Sequence, residues 1–455
     1  MQRICFVIAI AISATFMYAQ NNFVEDARYK SAAEVQKMLK NGADINSRNK
    51  NGYTLLITAA ESDQRDIVQL LIEKKADVHA EASSGETALN RAAYNGFLDS
   101  VKMLVAAGAK VDEPNKHGQT PLELCCMSGQ EHIAKFLLAN GADANRVNEK
   151  NSESILSKAV ICGKESVLQL LLDHKAQIDG KGRNSALIAA TMARKPKIVT
   201  FLLKKGANPN AITAKEQESA LHLAVALTNS NIISILLDHK ADANLQNARG
   251  HTPLIAAVNN NAPQIVDLLL KRKVDPNVKN KFGDTAMIYA AYYNLPVIAK
   301  SLIAQSADIN IVSNSQKSPL LLAAQRGANE VAAILLENKA NTEHVDKEQN
   351  NALVLASLYG HNKIVKMLLE HGMQVDKGNV YQNTPLLLAV YKGHIPVIKT
   401  LLEYGANPNS ANKDGITPIK LAQKNPQILA LLQEAKPKKV QTTNEKIQEK
   451  KDSDK

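Results

Sequence analysis

The sequence predicts an all-α fold, a solenoid of paired antiparallel helices joined by hairpin-like turns. Three observations predict it: a period of about 33 residues, a helix-capping residue at the head of each period, and apolar residues spaced for two short helices within it. Thr-Pro-Leu recurs at Thr120, Thr252 and Thr384, evenly spaced at four periods in each case. With Thr54 in "GYTLLITAA" as reference, the equivalents are Thr87, Thr120, Ser154, Ser185, Ser219, Thr252, Thr285, Ser318, Asn351, Thr384 and Thr417.

The first element is set apart. "MQRICFVIAIAISATFMYAQ" has a basic start at Arg3, an apolar run from Ile4 to Met17 and small residues after it. This reads as a secretory signal peptide over 1–19, cleaved after Ala19. The run falls short of the roughly 20 residues of a comfortable membrane span, so no stable span is expected after cleavage. Residues 20–46 then read as a degenerate capping unit with polar "EDARYKSAAE". A polar outer face suits an end repeat, which has a neighbour on one side only.

Residues 47–435 read as about twelve repeats with elements in fixed order. Thr, Ser or Asn at the reference position caps a helix by accepting from its free N–H groups. Pro follows at 121, 253, 319, 385 and 418, where its missing donor costs nothing. Leu and small residues come next, as in "PLLLAAQ", giving a short helix with a narrow face. A second helix reads "RDIVQLLIEKKA" or "NKIVKMLLEHGM". It ends at Gly42, Gly108, Gly141, Gly206, Gly372 or Gly405, placed for a left-handed cap, and Lys occupies that place at 75, 175, 240, 273 and 339. The closing Asn, Asp, His or Glu stands at a constant offset from the reference, from His79 after Thr54 to Asn409 after Thr384. Length varies only in the connecting turn, as expected of an exposed loop. The connection Asp179–Ser185 is two residues short, so a bend is expected there in a stack extending on the order of 100 Å, given roughly 8–10 Å between packed helices. The Lys-rich tail 436–455 is expected to be disordered.

The repeat length, "SALHLAV" at Ser219–Val225, "GHTPL", "LLLDHKA" and "GADIN" together resemble the ankyrin repeat family. The resemblance covers about residues 21–435. The His of the family's T-P-L-H head is present only at His222. It implies an ankyrin-repeat solenoid that binds a protein partner through a concave surface of turn tips and first-helix ends. His174, His239 and His371 share one late position of the second helix, often His in the family, and are expected to be structural rather than metal ligands.

Composition removes other classes. Hydrophobic residues make up 45% of the 455-residue chain, enough for a large core, and Trp is absent. Cys125, Cys126 and Cys162 occupy places taken by small apolar residues in other repeats and read as core residues, not a disulfide framework. No phosphate loop, His-Glu-x-x-His or Gly-x-Ser-x-Gly motif occurs, so no catalytic, cofactor or metal residues are expected. The net charge of +11 raises a nucleic-acid reading, but the Lys are dispersed and aromatics are 4%. It suits an acidic protein partner better.

The partner surface is expected three or four residues before the reference and seven or eight after it. The C-terminal repeats place Phe282, Tyr292, Tyr293, Arg326, Tyr359, Tyr381, Tyr391 and Lys392 there. The N-terminal half offers mainly small or polar residues, with Tyr94 and Met127 as exceptions. Tyr and Arg dominate binding hot spots. The rival reading is that the Tyr rings only cover neighbouring helices. The expectation is a monomeric, non-enzymatic, exported scaffold, periplasmic or secreted. A released effector binding a host protein, and an accessory factor that protects or activates a periplasmic enzyme, are the alternatives.

Overall fold

A computed structural model describes residues 23–180 and 185–434. The signal peptide over 1–19, the residues 181–184 of the short connection and the tail 436–455 lie outside the described residues. The chain divides into two compact bodies, Met1–Ala224 with Asn231–Ala241, and Val225–Ser230 with Asp242–Lys455.

The first body carries helix Ala32–Lys40 and then helix pairs from Leu55–Glu61 with Arg65–Glu73 to Ala186–Met192 with Pro196–Lys204. The second runs from Pro253–Asn259 with Pro263–Lys271 to Pro418–Ala422 with Pro426–Glu434. Within each body, the first helices from Leu55–Glu61 to Ala186–Met192, and from Pro253–Asn259 to Pro418–Ala422, pack on their own second helices and on the first helices next to them in that body. Ala352–Tyr359, for example, lies between Pro319–Arg326 and Pro385–Lys392.

Capping explains where the first helices begin. The reference side chain accepts from the N–H three residues on, at 3.3 Å for Thr54 and 2.9 Å for Asn351. Thr285 is an exception: its backbone is equally extended, yet its buried hydroxyl oxygen has no partner among the described residues. His222 shows what the motif His does. Its Nδ1 lies 2.8 Å from Ser219 Oγ and accepts from Ser219 N at 3.3 Å, returning the cap. Asn90 does the same for Thr87. Repeats with Ile or Leu there keep only the forward half.

Burial follows the sequence columns. Five and six residues after the reference stand Ala59 and Ala60, Ala92 and Ala93, and Ala323 and Ala324, all at 0% exposure. Cys125 and Cys126 occupy the same two places and are equally buried. Cys162 departs from the expectation: it lies two places further on, at the frayed end of its helix, and is only half-buried. Above the small face lies a Leu column, including Leu320, Leu353 and Leu386, each buried. Burial of one such side chain stabilises by roughly 1.5–3 kcal/mol.

The second helices end as the Gly column predicts, with φ between +83° and +95°. Lys75, Lys175, Lys240, Lys273 and Lys339 keep the left-handed backbone, with φ from +60° to +64°, at a strain of about 1 kcal/mol or more each. His174, His239 and His371 bond through Nδ1 to the carbonyl one turn back, at 2.8–2.9 Å, which is a helix-ending role. Among the described residues no group of three His, Cys, Asp or Glu could hold a metal ion.

The closing residue joins repeats. Asn145, Asn277 and Asn310 each accept through Oδ1 from a backbone N–H of the following repeat at 2.8 Å. Glu343 instead pairs with Lys377 at 2.6 Å. In the first body, Glu123 takes the motif-His place in the helix Pro121–Ser128 and is 2% exposed. Burial pushes its carboxyl up to about 7, against the opposing pull of Asn148 and Lys158. A raised acid holds its proton more tightly in the folded chain. Stability from this group is complete below the ordinary value of 4.5 and falls as pH rises towards about 7. Glu123→Gln is expected to match the native chain near pH 4.5 and to exceed it at pH 8, read as urea midpoints; an unchanged gap would contradict this.

Candidate functional site

The second body brings three of the expected residues into direct contact. Tyr292 closes the helix Ala286–Tyr292 and Tyr293 is its C-cap. Their rings meet edge to face at 4.9 Å. Arg326, the last residue of the next first helix, lays its guanidinium over Tyr292 with Cζ 4.4 Å from the ring centroid. That helix ends on left-handed Gly327, so the chain turns away just where the Arg stem departs.

Tyr289, one helical turn before Tyr293, stacks on it at 6.3 Å. Its hydroxyl accepts from Asn280 Nδ2 at 3.1 Å and bonds His251 Nε2 at 3.2 Å. Burial lowers the His251 pKa, helped by the charge of Arg249. Burial raises Tyr289, helped by Asp284, whose own carboxyl burial also raises. The exposed pair of rings therefore rests on a half-buried polar base.

The remaining candidates are placed as follows. Tyr359 stacks on His361 at 6.4 Å, and its hydroxyl accepts from Gln325 Nε2 at 3.4 Å, which ties it to the residue beside Arg326. Tyr391 stands apart with Lys392, whose Nζ is 5.1 Å from its ring. Phe282 and Tyr381 are on turn tips. Their carbonyls accept from Asn314 N and Lys413 N of the following tips at 3.0 Å, and their rings are exposed. Exposure runs from 38% at Tyr292 to 65% at Tyr391. The rings are neither free nor fully packed.

Two contributors were missed from sequence. Tyr289 carried a signal, an aromatic one helical turn before another in one helix. His251 carried none, because its partner belongs to the following repeat. In the first body the count of apolar residues at the seven-after place was too low. Ile161 and Met192 join Tyr94 and Met127 there and are about half exposed.

The first body also holds a Tyr–Arg pair, but a closed one. Arg91 lies 5.4 Å over Tyr53 and bonds its hydroxyl. It pairs with Glu86 at 3.2 Å and Glu61 at 3.5 Å.

The ankyrin-repeat family model, of three copies, matches residues 24–115, 84–148, 122–213, 211–280, 259–346 and 338–412. The chain belongs to the ankyrin-repeat family. Ankyrin repeats mediate protein–protein interaction, and the fold is typically a non-enzymatic binding scaffold. Similar relatives include mouse Rabankyrin-5, 33% identical over 24% of this chain and 10% of that protein, and the Drosophila melanogaster neurogenic locus Notch protein, 44% identical over 13% and 2%. The chain thus spans a small fraction of these relatives. Among solved structures, the ankyrin repeat domain of Bcl-3 gives a TM-score of 0.44 at 24% identity, covering 48% of this chain and all of that one. The human ASB11 ankyrin repeat domain gives 0.45 at 27%, covering 49% of this chain and all of that one. Among the described residues no helix is long and apolar enough to cross a membrane.

Proposed function

We propose that the chain is a non-enzymatic, exported ankyrin scaffold that binds one acidic, partly apolar protein partner through the second body. The observation that carries this is the Tyr292–Tyr293–Arg326 cluster, with Tyr359 joined to it through Gln325. Large rings of limited flexibility, half exposed on a base of hydrogen-bonded side chains, are suited to hot-spot contacts. Phe282 and Tyr381 on the turn tips, and Tyr391 with Lys392, would extend the contact to a long segment. Export rests on the basic start, short apolar run and small residues of 1–19, and the place of action is the periplasm or the exterior. A released effector binding a host protein, or an accessory factor for a periplasmic enzyme, would use the same surface; repeat scaffolds carry many functions.

The test is crosslinked capture by the full chain from cell envelope and, separately, from culture supernatant, with N-terminal sequencing of the native protein. The reading expects one partner captured by the native chain and lost with Tyr292→Ala/Tyr293→Ala, and a mature chain starting near Gln20. Capture indifferent to that double substitution would overturn the site. Recovery of Met1 as the native N-terminus would overturn cleavage.

A further inference from the structure

We infer that Arg326 is a carboxylate receptor, and that the segment bound by the second body places an Asp or Glu side chain against it, beside an apolar or aromatic residue that packs on Tyr293 and Tyr359. The inference deepens the protein-binding reading of this face and rests on it.

The argument starts from two arginines in like settings. Each lies over a Tyr ring of the preceding repeat. Arg91 already has carboxylates beside it: Glu86 lies at 3.2 Å and Glu61 at 3.5 Å, and it bonds the Tyr53 hydroxyl. Arg326 is exposed, and no carboxylate of the described residues lies within ion-pair distance of it. Glu330, at the start of the following helix, is engaged by the Asn294 side chain. The Tyr292 ring lies against the Arg326 guanidinium, Cζ 4.4 Å from its centroid. A guanidinium presents a planar fork that matches a carboxylate with two parallel bonds. The ring also limits side-chain motion, so less freedom is lost when an anion arrives.

The wider charge points the same way. Arg249, Lys281 and Lys347 on the turn tips, and Lys392 at the helix-end place of Arg326, are all exposed, and none forms an ion pair among the described residues. Glu348 and Asp414 are the exposed acids at this turn-tip place; the Asn350 side chain donates to Glu348 at 3.1 Å, and Asp414 lies in the last repeat. A partner segment with acids near its centre therefore meets cations and few competing anions. Apolar contact comes from the rings beside Arg326, not from a separate groove.

The test is selection of random twelve-residue peptides displayed on phage against the full chain, followed by titration of one selected synthetic peptide. The expected result is enrichment of Asp or Glu within a few residues of an aromatic or aliphatic residue. Arg326→Gln should then weaken the peptide about tenfold or more, and Arg326→Lys by less, since it keeps charge without the fork. Arg326→Glu should abolish binding and recover it for the peptide whose acid is changed to Lys. Enriched peptides without acids, an unchanged Arg326→Gln affinity, or an empty selection would overturn the inference. Tyr293→Ala separates the two readings. Loss with Tyr293→Ala but not Arg326→Gln would leave the protein-binding face standing and remove the carboxylate receptor. Peptides indifferent to both would remove both. An unchanged urea midpoint for Arg326→Gln excludes misfolding as the cause.

Discussion

Leu353→Ala is expected to lower stability by about 2–5 kcal/mol, the largest single-substitution effect expected in this chain. Leu353 is fully buried on the first helix Ala352–Tyr359, which packs on the first helices to either side. Its loss opens a cavity at two repeat interfaces at once. The same place in the adjacent repeats is held by Leu320 and Leu386, both buried, so collapse should be incomplete. Repeats are stabilised by their nearest neighbours, so the damage should be felt first between Ser318 and Thr417. Urea unfolding checks the magnitude, and amide exchange checks the location. Leu353→Met, which conserves volume, should cost less than about 1.5 kcal/mol.

Gly360→Ala is expected to cost about 2–3 kcal/mol, because left-handed strain and a steric clash add, and the two causes can be divided experimentally. Gly360 has φ +80° as the cap of its helix. A Cβ there takes on left-handed strain of about 1–2 kcal/mol, partly offset by a stiffer unfolded chain. It would also stand 2.8 Å from Cε1 and Nδ1 of His394 in the next repeat. That ring cannot move without losing its Nε2 bond to Leu358 O, now 3.1 Å. Gly393 has nearly the same φ, +73°, and nothing within 4 Å of a built Cβ. Gly393→Ala should therefore cost only the strain. A double-mutant cycle of Gly360→Ala with His394→Ala, read by thermal or urea unfolding, should return a coupling near the difference between the two glycines.

That pair of glycines shows where sequence reading succeeds and where it stops. Period, caps and left-handed helix ends were legible because each depends on residues within one repeat. Thr54 needs only Ile57 N, and Lys339 needs only its own helix. Gly360 was not legible as a site of close approach, since His394 reaches it from the following repeat. Cys125 and Cys126 were legible as core because the same two places are Ala elsewhere. Glu123 was visible as a departure from the motif His, but its burial depends on how the neighbouring repeat covers it. The Tyr residues were legible as a column, while their grouping was not. Tyr292, Tyr293 and Arg326 converge because the ring and the guanidinium stand one place apart in adjacent repeats. Tyr391 and Lys392, at those same places, pair with each other. Ile161 and Met192 were open to the same column reading and were overlooked.

The central claim is that these rings serve a partner rather than the core. The most direct measurement is affinity and stability together for Tyr293→Ala and Tyr359→Ala, using the captured partner or a selected peptide. Both rings are about half exposed. Affinity should fall by at least about 1–2 kcal/mol for either. Stability should change by about 0.5 kcal/mol for Tyr359→Ala. For Tyr293→Ala it should change by up to about 1 kcal/mol, since Tyr293 also stacks on Tyr289. Unchanged affinity with a large loss of stability in both variants would contradict the account and return the rings to packing.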